Sequence, residues 1–429
     1  MRLHRGWTIV STGLLAVILL ATLTPVPGTP VTANFWCIAC GELGALDVTA
    51  NIVMFVPLGL ALGLATGRRW PSVLACVAVT LAIELLQVRV VVGRDASVSD
   101  LLANSLGGWI GVELALRHRP VIRPSAPAAS WLAGAAAAMF AAVCALTSFG
   151  LEPAAIPRSL WIQWTPPRPS YEPFTGRVLA FDVDGIDLPI GFPPASSGLD
   201  RLLAGPQWQA TTTISTEHLE PRRSVIARIA EEYTVLVSVE QAGLDVVCRQ
   251  KTRSSDFRFR SPKVTVRDGL AAGDETVSVM KLACARRHAW LVAGADGREA
   301  RLRLSPALGW YLMSPFDLTI TTTEAWVGLL WLLGLSFPAG YWAGFVRGHD
   351  AGGRRRVWLV TTTIGVASLA GLSLVPGLTE TSTANALEWT AAVTGVLLGV
   401  VVGRAVARRS GASAQAMEDD AARRDHLLA

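Results

Sequence analysis

Eight long apolar stretches dominate the chain, each near the ~20 residues that a helix needs to cross a bilayer core. They cover residues 7–23, 48–66, 71–92, 101–116, 128–149, 324–346, 357–374 and 387–407. The first follows a basic start, as a signal peptide would. Pro25, Pro27 and Pro30 stand where a small-x-small cleavage site would follow, so it reads as a span. Between the fifth and sixth stretches the pattern changes. Residues 150–323 open with a Pro-rich lead-in (Pro153, Pro157, Pro166, Pro167, Pro169, Pro173), read as an extended linker. Short β-branched runs follow at 210–215, 224–229, 233–240, 244–249, 263–266, 275–283, 289–293 and 299–304. Turns such as Gln241-Ala242-Gly243 and Ala295-Asp296-Gly297 separate them. Strands at this spacing predict a β-sandwich.

The expected fold is a polytopic α-helical membrane protein of about eight transmembrane helices with an inserted extracytoplasmic all-β sandwich. A five-helix membrane domain covers 1–149, the sandwich 150–323, three more helices 324–409, and a tail 410–429. Composition agrees with such a mixture. Charged residues make up 17% and hydrophobic ones 51%, with mean hydropathy +0.41, against about 25% charged in soluble domains. Intrinsic disorder is excluded by that apolar content.

The net charge of +5 would hint at nucleic acid if the cations were clustered on a soluble face. They are not. Arg2 and Arg5, Arg68 and Arg69, Arg117, Arg119 and Arg123, Arg347 and Arg354–Arg356, and Arg404, Arg408, Arg409, Arg423 and Arg424 all fall on one side of an eight-span layout. The loops 28–46 and 375–386 on the other side have no Arg or Lys; Arg89 and Arg94 are the exceptions. Such asymmetry places both termini in the cytoplasm and 150–323 outside. No nucleic-acid partner is expected.

The candidate chemistry lies in the second to fourth stretches. Asp47-Val48-Thr49-Ala50-Asn51 opens one, and Asp100-Leu101-Leu102-Ala103-Asn104 opens another. The shared D-x-x-A-N places Asp and Asn on one helical face. Gly59, Gly63 and Gly67 follow in the first, Gly107 and Gly111 in the second, faces that let helix backbones approach closely. This predicts a short repeat of two parallel helices. Glu84 and Gln87 lie on one face of the helix between them, and an ionisable residue at that depth needs a partner. The eighth stretch echoes the pattern with Asn385 and Gly395, Gly399 and Gly403, without the preceding Asp.

The set Asp47-x₃-Asn51-x₃-Phe55-x-Pro57-x-Gly59, Glu84-x₂-Gln87, Arg94 and Asp100-x₃-Asn104-x₂-Gly107 resembles the VanZ-like family of bacterial membrane proteins. The resemblance implies a bacterial cytoplasmic-membrane protein of the cell envelope, with a family association to low-level glycopeptide antibiotic resistance. Large outer domains between the membrane halves fit that family. The order of pieces in 150–323 resembles a laminin-G or concanavalin-like jelly roll: Trp208, the strand pair across 225–239, Leu244-Asp245-Val246-Val247, and Trp290 ahead of Asp296-Gly297-Arg298. That resemblance implies carbohydrate as a partner of the outer domain.

The leading functional reading is binding of a membrane lipid or cell-wall precursor by Asp47, Asn51, Glu84, Gln87, Arg94, Asp100 and Asn104 at the outer leaflet, with Arg94 matched to phosphate. A membrane enzyme acting on a phospholipid or polyprenyl phosphate, with Glu84 and Asp100 as acid and base, is a second reading. Against it stands the lack of His in any expected span and of any Ser-His or Cys-His set. A proton-coupled transporter or flippase using Glu84 is a third. Neither cofactor nor metal is expected, and oligomeric state is open. Asp182, Asp184 and Asp187 read as turn carboxylates ahead of a metal site. Cys37 and Cys40 form a C-x-x-C read as a small disulfide or two inert thiols. Cys248 and Cys284 fall in separate expected strands, where a bridge persists outside the cell; bridged and free forms both stay open.

Overall fold

The computed structural model describes residues 2–25, 35–36, 43–91, 97–167, 171–194, 197–205, 207–231, 234–270, 277–285, 290–293, 297–315, 325–348 and 351–428, with the backbone alone for 2–5, 278, 283–285, 290–293 and 410–428. Cys37, Cys40 and Arg94 lie outside the described residues.

The chain begins with α1 (Arg2–Leu23), α2 (Gly44–Thr66), α3 (Arg69–Arg89), α4 (Val98–Leu116), the short α5 (His118–Ile122) and α6 (Ala126–Leu151). Among the described residues eleven strands follow: β1 (Trp161–Trp164), β2 (Arg177–Val183), β3 (Ile186–Asp187), then α7 (Leu199–Leu203), then β4 (Gln207–Ser215), β5 (Arg222–Glu231), β6 (Thr234–Gly243), β7 (Asp245–Gln250), β8 (Lys263–Val266), β9 (Val277–Ala285), β10 (Trp290–Ala293) and β11 (Glu299–Leu302). After α8 (Gly309–Leu312) come α9 (Ala325–Ala343), α10 (Ala351–Leu369), α11 (Val375–Leu378) and α12 (Ala386–Leu428).

Among the described residues seven helices are long and apolar enough to cross a membrane. The sequence pattern gives eight; the difference is α4. It is a helix of 19 residues, but Asp100, Asn104 and Glu113 dilute its apolar content.

Each of the eight expected strand runs holds a strand among the described residues, and three further strands are present. β1 lies inside the Pro-rich lead-in and pairs with β5, so that segment is not wholly linker. β2 and β3 form a hairpin around Asp184 and Gly185, both at positive φ. Its carboxylates serve the turn: Asp182 accepts from Gly185 N at 3.1 Å, and Asp184 from Gln209 N at 3.0 Å.

The strands form two antiparallel sheets, ordered β1-β5-β6-β7-β8 and β11-β10-β9-β4-β2-β3. Val178, Phe181, Trp208 and Ile214 of one share a core with Ile162, Ile229, Val237, Val246 and Val264 of the other. Cys248 lies in that core as a free, buried thiol, so the bridge to Cys284 is not formed. Its strand β7 belongs to one sheet and β9 to the other; the Cys284 side chain is outside the described residues. Burial and the nearby Glu240 carboxylate push the Cys248 thiol well above its ordinary range, which makes it a packing residue.

Two compact units result. One holds Met1–Leu116, Thr147–Ala325 and Thr379–Ser382; the other holds Arg117–Leu146, Trp326–Leu378 and Thr383–Ala429. In the first, α1–α4 pack with Phe55, Leu58, Cys76 and Ile83 at their core, alongside the sandwich. In the second, Ala129 and Ala133 of α6 meet Phe345, Val346 and Val360.

Candidate functional site

Glycine sets the geometry of the α2/α4 contact. A Cβ on Gly59 would fall 2.1 Å from Gly108 O, one on Gly107 2.2 Å from Ile52 O, and one on Gly111 2.1 Å from Val56 O. Contacts advance together along both helices, from Ile52 with Gly107 to Gly63 with Ala115. The two helices are therefore parallel and touch backbone to backbone, as the repeat predicts.

That contact brings the two D-x-x-A-N motifs together at one end. Asn51 donates through Nδ2 to Asp100 Oδ1 at 2.5 Å. Asn104 turns the other way and donates to Thr80 Oγ1 of α3 at 2.9 Å. Glu84, 3% exposed, accepts from Ser97 N at 2.9 Å. Ser97 Oγ in turn accepts from Asp100 N at 3.1 Å and caps α4. Gln87 donates to Thr22 O of α1 at 3.0 Å. Asp47 is exposed and lies within electrostatic reach of Asp100. Of the expected site residues, six are gathered at the α1–α4 end; the seventh, Arg94, falls outside the described residues.

Two residue groups escaped the sequence reading. Thr80 and Ser97 each had a signal. Thr80 is one turn before Glu84 on the same helical face. Ser97-x-x-Asp100 has the spacing of a helix start. Arg258 and Arg260 had none, because they come from the sandwich some 200 residues on. Arg258 O accepts from Leu46 N at 3.4 Å at the start of α2. Arg260 lies within electrostatic reach of Asp47. Its guanidinium is held by Ser314 O at 2.7 Å and Pro315 O at 2.9 Å. The same loop grips the end of α6, where Arg253 pairs with Glu152 at 2.7 Å and covers the Phe149 ring at 4.5 Å.

The cluster is incompletely satisfied. Asn104 is 2% exposed, and its Oδ1 is buried without a hydrogen-bond partner, as is Gln87 Oε1. Turning the Asn104 amide over would leave its nitrogen unpaired instead. A buried polar atom without a partner costs about 1–3 kcal/mol. Each of the two amides thus keeps an unpaired acceptor, that of Asn104 one helical turn from Asp100 and that of Gln87 one turn from Glu84. Among the described residues no group of three His, Cys, Asp or Glu side chains is placed to hold a metal ion.

No curated protein and no solved structure matches the chain. Residues 7–119 match the VanZ/LLP1 family model, and the helices that build this cluster are a VanZ-like membrane domain within a multi-pass membrane protein.

Proposed function

We propose that this cluster binds the polar head group of a membrane lipid or cell-wall precursor entering from the outer leaflet of the bacterial cytoplasmic membrane. The observation that carries the reading is the buried Asn104 with an unpartnered amide oxygen, among Glu84, Asp100 and Asn51. Structural glue alone would pair both ends of that amide. Sugar hydroxyls, amide N–H groups or an ammonium would supply the donor. Arg94 adds a guanidinium for phosphate, and a link to glycopeptide resistance follows if the ligand is a wall precursor.

Placing the cluster outside rests on the arginine distribution, with both termini cytoplasmic and 150–323 extracytoplasmic. It also needs α4 to cross the membrane. The backbone contact of α4 with the apolar α2 along its length supports that crossing. The sandwich is read as a laminin-G- or concanavalin-like, carbohydrate-facing module.

Native mass spectrometry of protein purified in mild detergent tests the site. Wild type is expected to retain a lipid-sized ligand that Asn104→Leu and Arg94→Ala lose. Retention unchanged in Asn104→Leu overturns the reading.

A further inference from the structure

The loop between β7 and β8 joins the sandwich to the membrane helices, and its inner side makes the joint. Ser254, 2% exposed, donates through Oγ to Arg260 O at 2.7 Å. A Cβ on Gly150 of α6 would lie 3.4 Å from Ser254 Cβ, so helix and loop are in contact there. Arg253 N donates to Glu152 O at 2.8 Å, beside the ion pair of the same two residues. At the first turn of α2, Leu46 N donates to Arg258 O. The loop is thus fixed against the ends of two apolar helices.

Its other side is open. Phe257 is 54% exposed, and Arg258 next to it is exposed as well. Arg258 has φ 60°, a left-handed backbone that glycine adopts without the steric cost an arginine meets. A cationic side chain therefore stands where the backbone alone favours glycine.

Helix length gives the depth of this edge. α6 has 26 residues and α2 has 23. At ~1.5 Å per residue they reach ~39 and ~35 Å, past the ~30 Å hydrocarbon core. Their ends stand in the head-group layer. The Phe257 ring lies 6.0 Å from that of Phe149 in the last turn of α6, and so stands there too. At the start of α4, Phe35 O accepts from Val98 N at 2.9 Å, and the adjoining Trp36 is 75% exposed. Exposed rings beside the ends of spans belong to the membrane–water interface.

Charge selects the lipid. Residues 251–260 carry Lys251, Arg253, Arg258 and Arg260 against one carboxylate, Asp256. Lys251 pairs with Asp256 at 2.8 Å and Arg253 with Glu152 at 2.7 Å, while Arg260 is held by Ser314 O and Pro315 O. Of the four cations, Arg258 is the exposed one and the others are half-buried. A guanidinium in the head-group layer suits phosphate, and each cation near a membrane surface attracts anionic lipid.

We propose that this loop is a lipid-binding edge of the sandwich, with Phe257 set among the head groups and Arg258 on the phosphate of a net-anionic phospholipid. This site rests on α2 and α6 as spans and is independent of what the α2–α4 cluster binds.

Photo-crosslinking of full-length protein in nanodiscs of equal phosphatidylglycerol and phosphatidylcholine tests it. Phe257→p-benzoylphenylalanine should form lipid adducts, read by mass spectrometry. Phosphatidylglycerol should exceed phosphatidylcholine in them about fivefold, the worth of one cation at a membrane surface. Asp268 meets the far end of β7, where its N–H donates to Asp245 Oδ1, roughly 17 Å away. Asp268→p-benzoylphenylalanine should form no adduct. Adding Arg258→Gln to the first variant should bring the lipid ratio to about one, and Arg258→Lys should keep the excess. Arg258→Gly suits the left-handed backbone and should give the same loss as Arg258→Gln, which separates lost charge from a disturbed loop. Lipid adducts absent at position 257, or equally frequent at 268, overturn the membrane edge. Equal adducts from the two lipids, or an excess that survives Arg258→Gln and Arg258→Gly, overturn the anionic site. An excess abolished by inorganic phosphate at matched ionic strength makes it a site for free anions and overturns the lipid.

Discussion

Helices α2 and α4 meet in the way that α9 and α12 do. In both pairs the helices are parallel and glycine removes the side chains between them. Gly395 would clash with Leu333 O at 2.3 Å, Gly399 with Phe337 O at 2.3 Å and Gly403 with Tyr341 O at 2.1 Å if each gained a Cβ. Gly340 answers from α9, 2.0 Å from Val396 O. The difference lies in what the close approach holds. At α2/α4 it gathers Asn51, Asp100, Asn104 and, from α3, Thr80 and Glu84. At α9/α12, Ser336 Oγ donates across the pair to Ala392 O at 2.8 Å. The Asn of α12 is spent locally: Asn385 N donates to Glu388 Oε2 at 2.8 Å, and Glu388 N to Asn385 Oδ1 at 2.9 Å, a reciprocal helix cap. The glycine face is thus a packing device used twice, and the polar cluster is what sets the VanZ-like end apart.

The largest expected effect does not distinguish the pairs. Gly107→Val and Gly399→Val both put carbon into a backbone carbonyl, and backbone cannot turn aside as a side chain can. Each should cost about 1–3 kcal/mol or more by overpacking. Unfolding in mild detergent measures it. A wild-type midpoint for either variant would show that its pair is not in backbone contact.

A smaller effect begins to separate them. Asn385→Ala and Ser97→Ala each remove a helix cap, worth about 1 kcal/mol. Stability should fall alike. Ligand retention in native mass spectrometry should fall only with Ser97→Ala, because Ser97 fixes the first turn of α4 and with it Asp100 against Asn51. Equal retention in both variants would break the comparison.

How much of this was legible follows from the range of each contact. Periodicity of three and four residues fixed the helical faces, so Asp47, Asn51, Asp100 and Asn104 and the glycines of α2 and α4 were readable. The repeat also implied symmetry, and there tertiary packing intervened. Asn51 reaches across the pair to Asp100, whereas Asn104 meets Thr80, because α3 packs on α4 at that depth. Alternation revealed β4 to β11. β1 was hidden by the prolines around it, and β2 and β3 by a tight Asp-Gly turn. Arg258 and Arg260 have no local signal at all, since only the folded sandwich loop carries them to α2.

The smallest stability effect gives the sharpest test. Thr80→Val keeps the shape of the side chain and removes the hydroxyl to which Asn104 donates. Ser336→Ala removes the hydroxyl that reaches Ala392 O. Interhelical hydrogen bonds in membranes average about 0.6 kcal/mol, so the two variants should melt within error of one another. If both bonds are only packing glue, nothing else should change in either. If the α2–α4 cluster binds a ligand, Thr80→Val frees the Asn104 amide to turn, and the acceptor that the ligand needs is no longer held in place. Retention should then drop in Thr80→Val and stay at the wild-type level in Ser336→Ala. Retention equal to wild type in Thr80→Val would reduce the first pair to what the second already is, a glycine-packed scaffold.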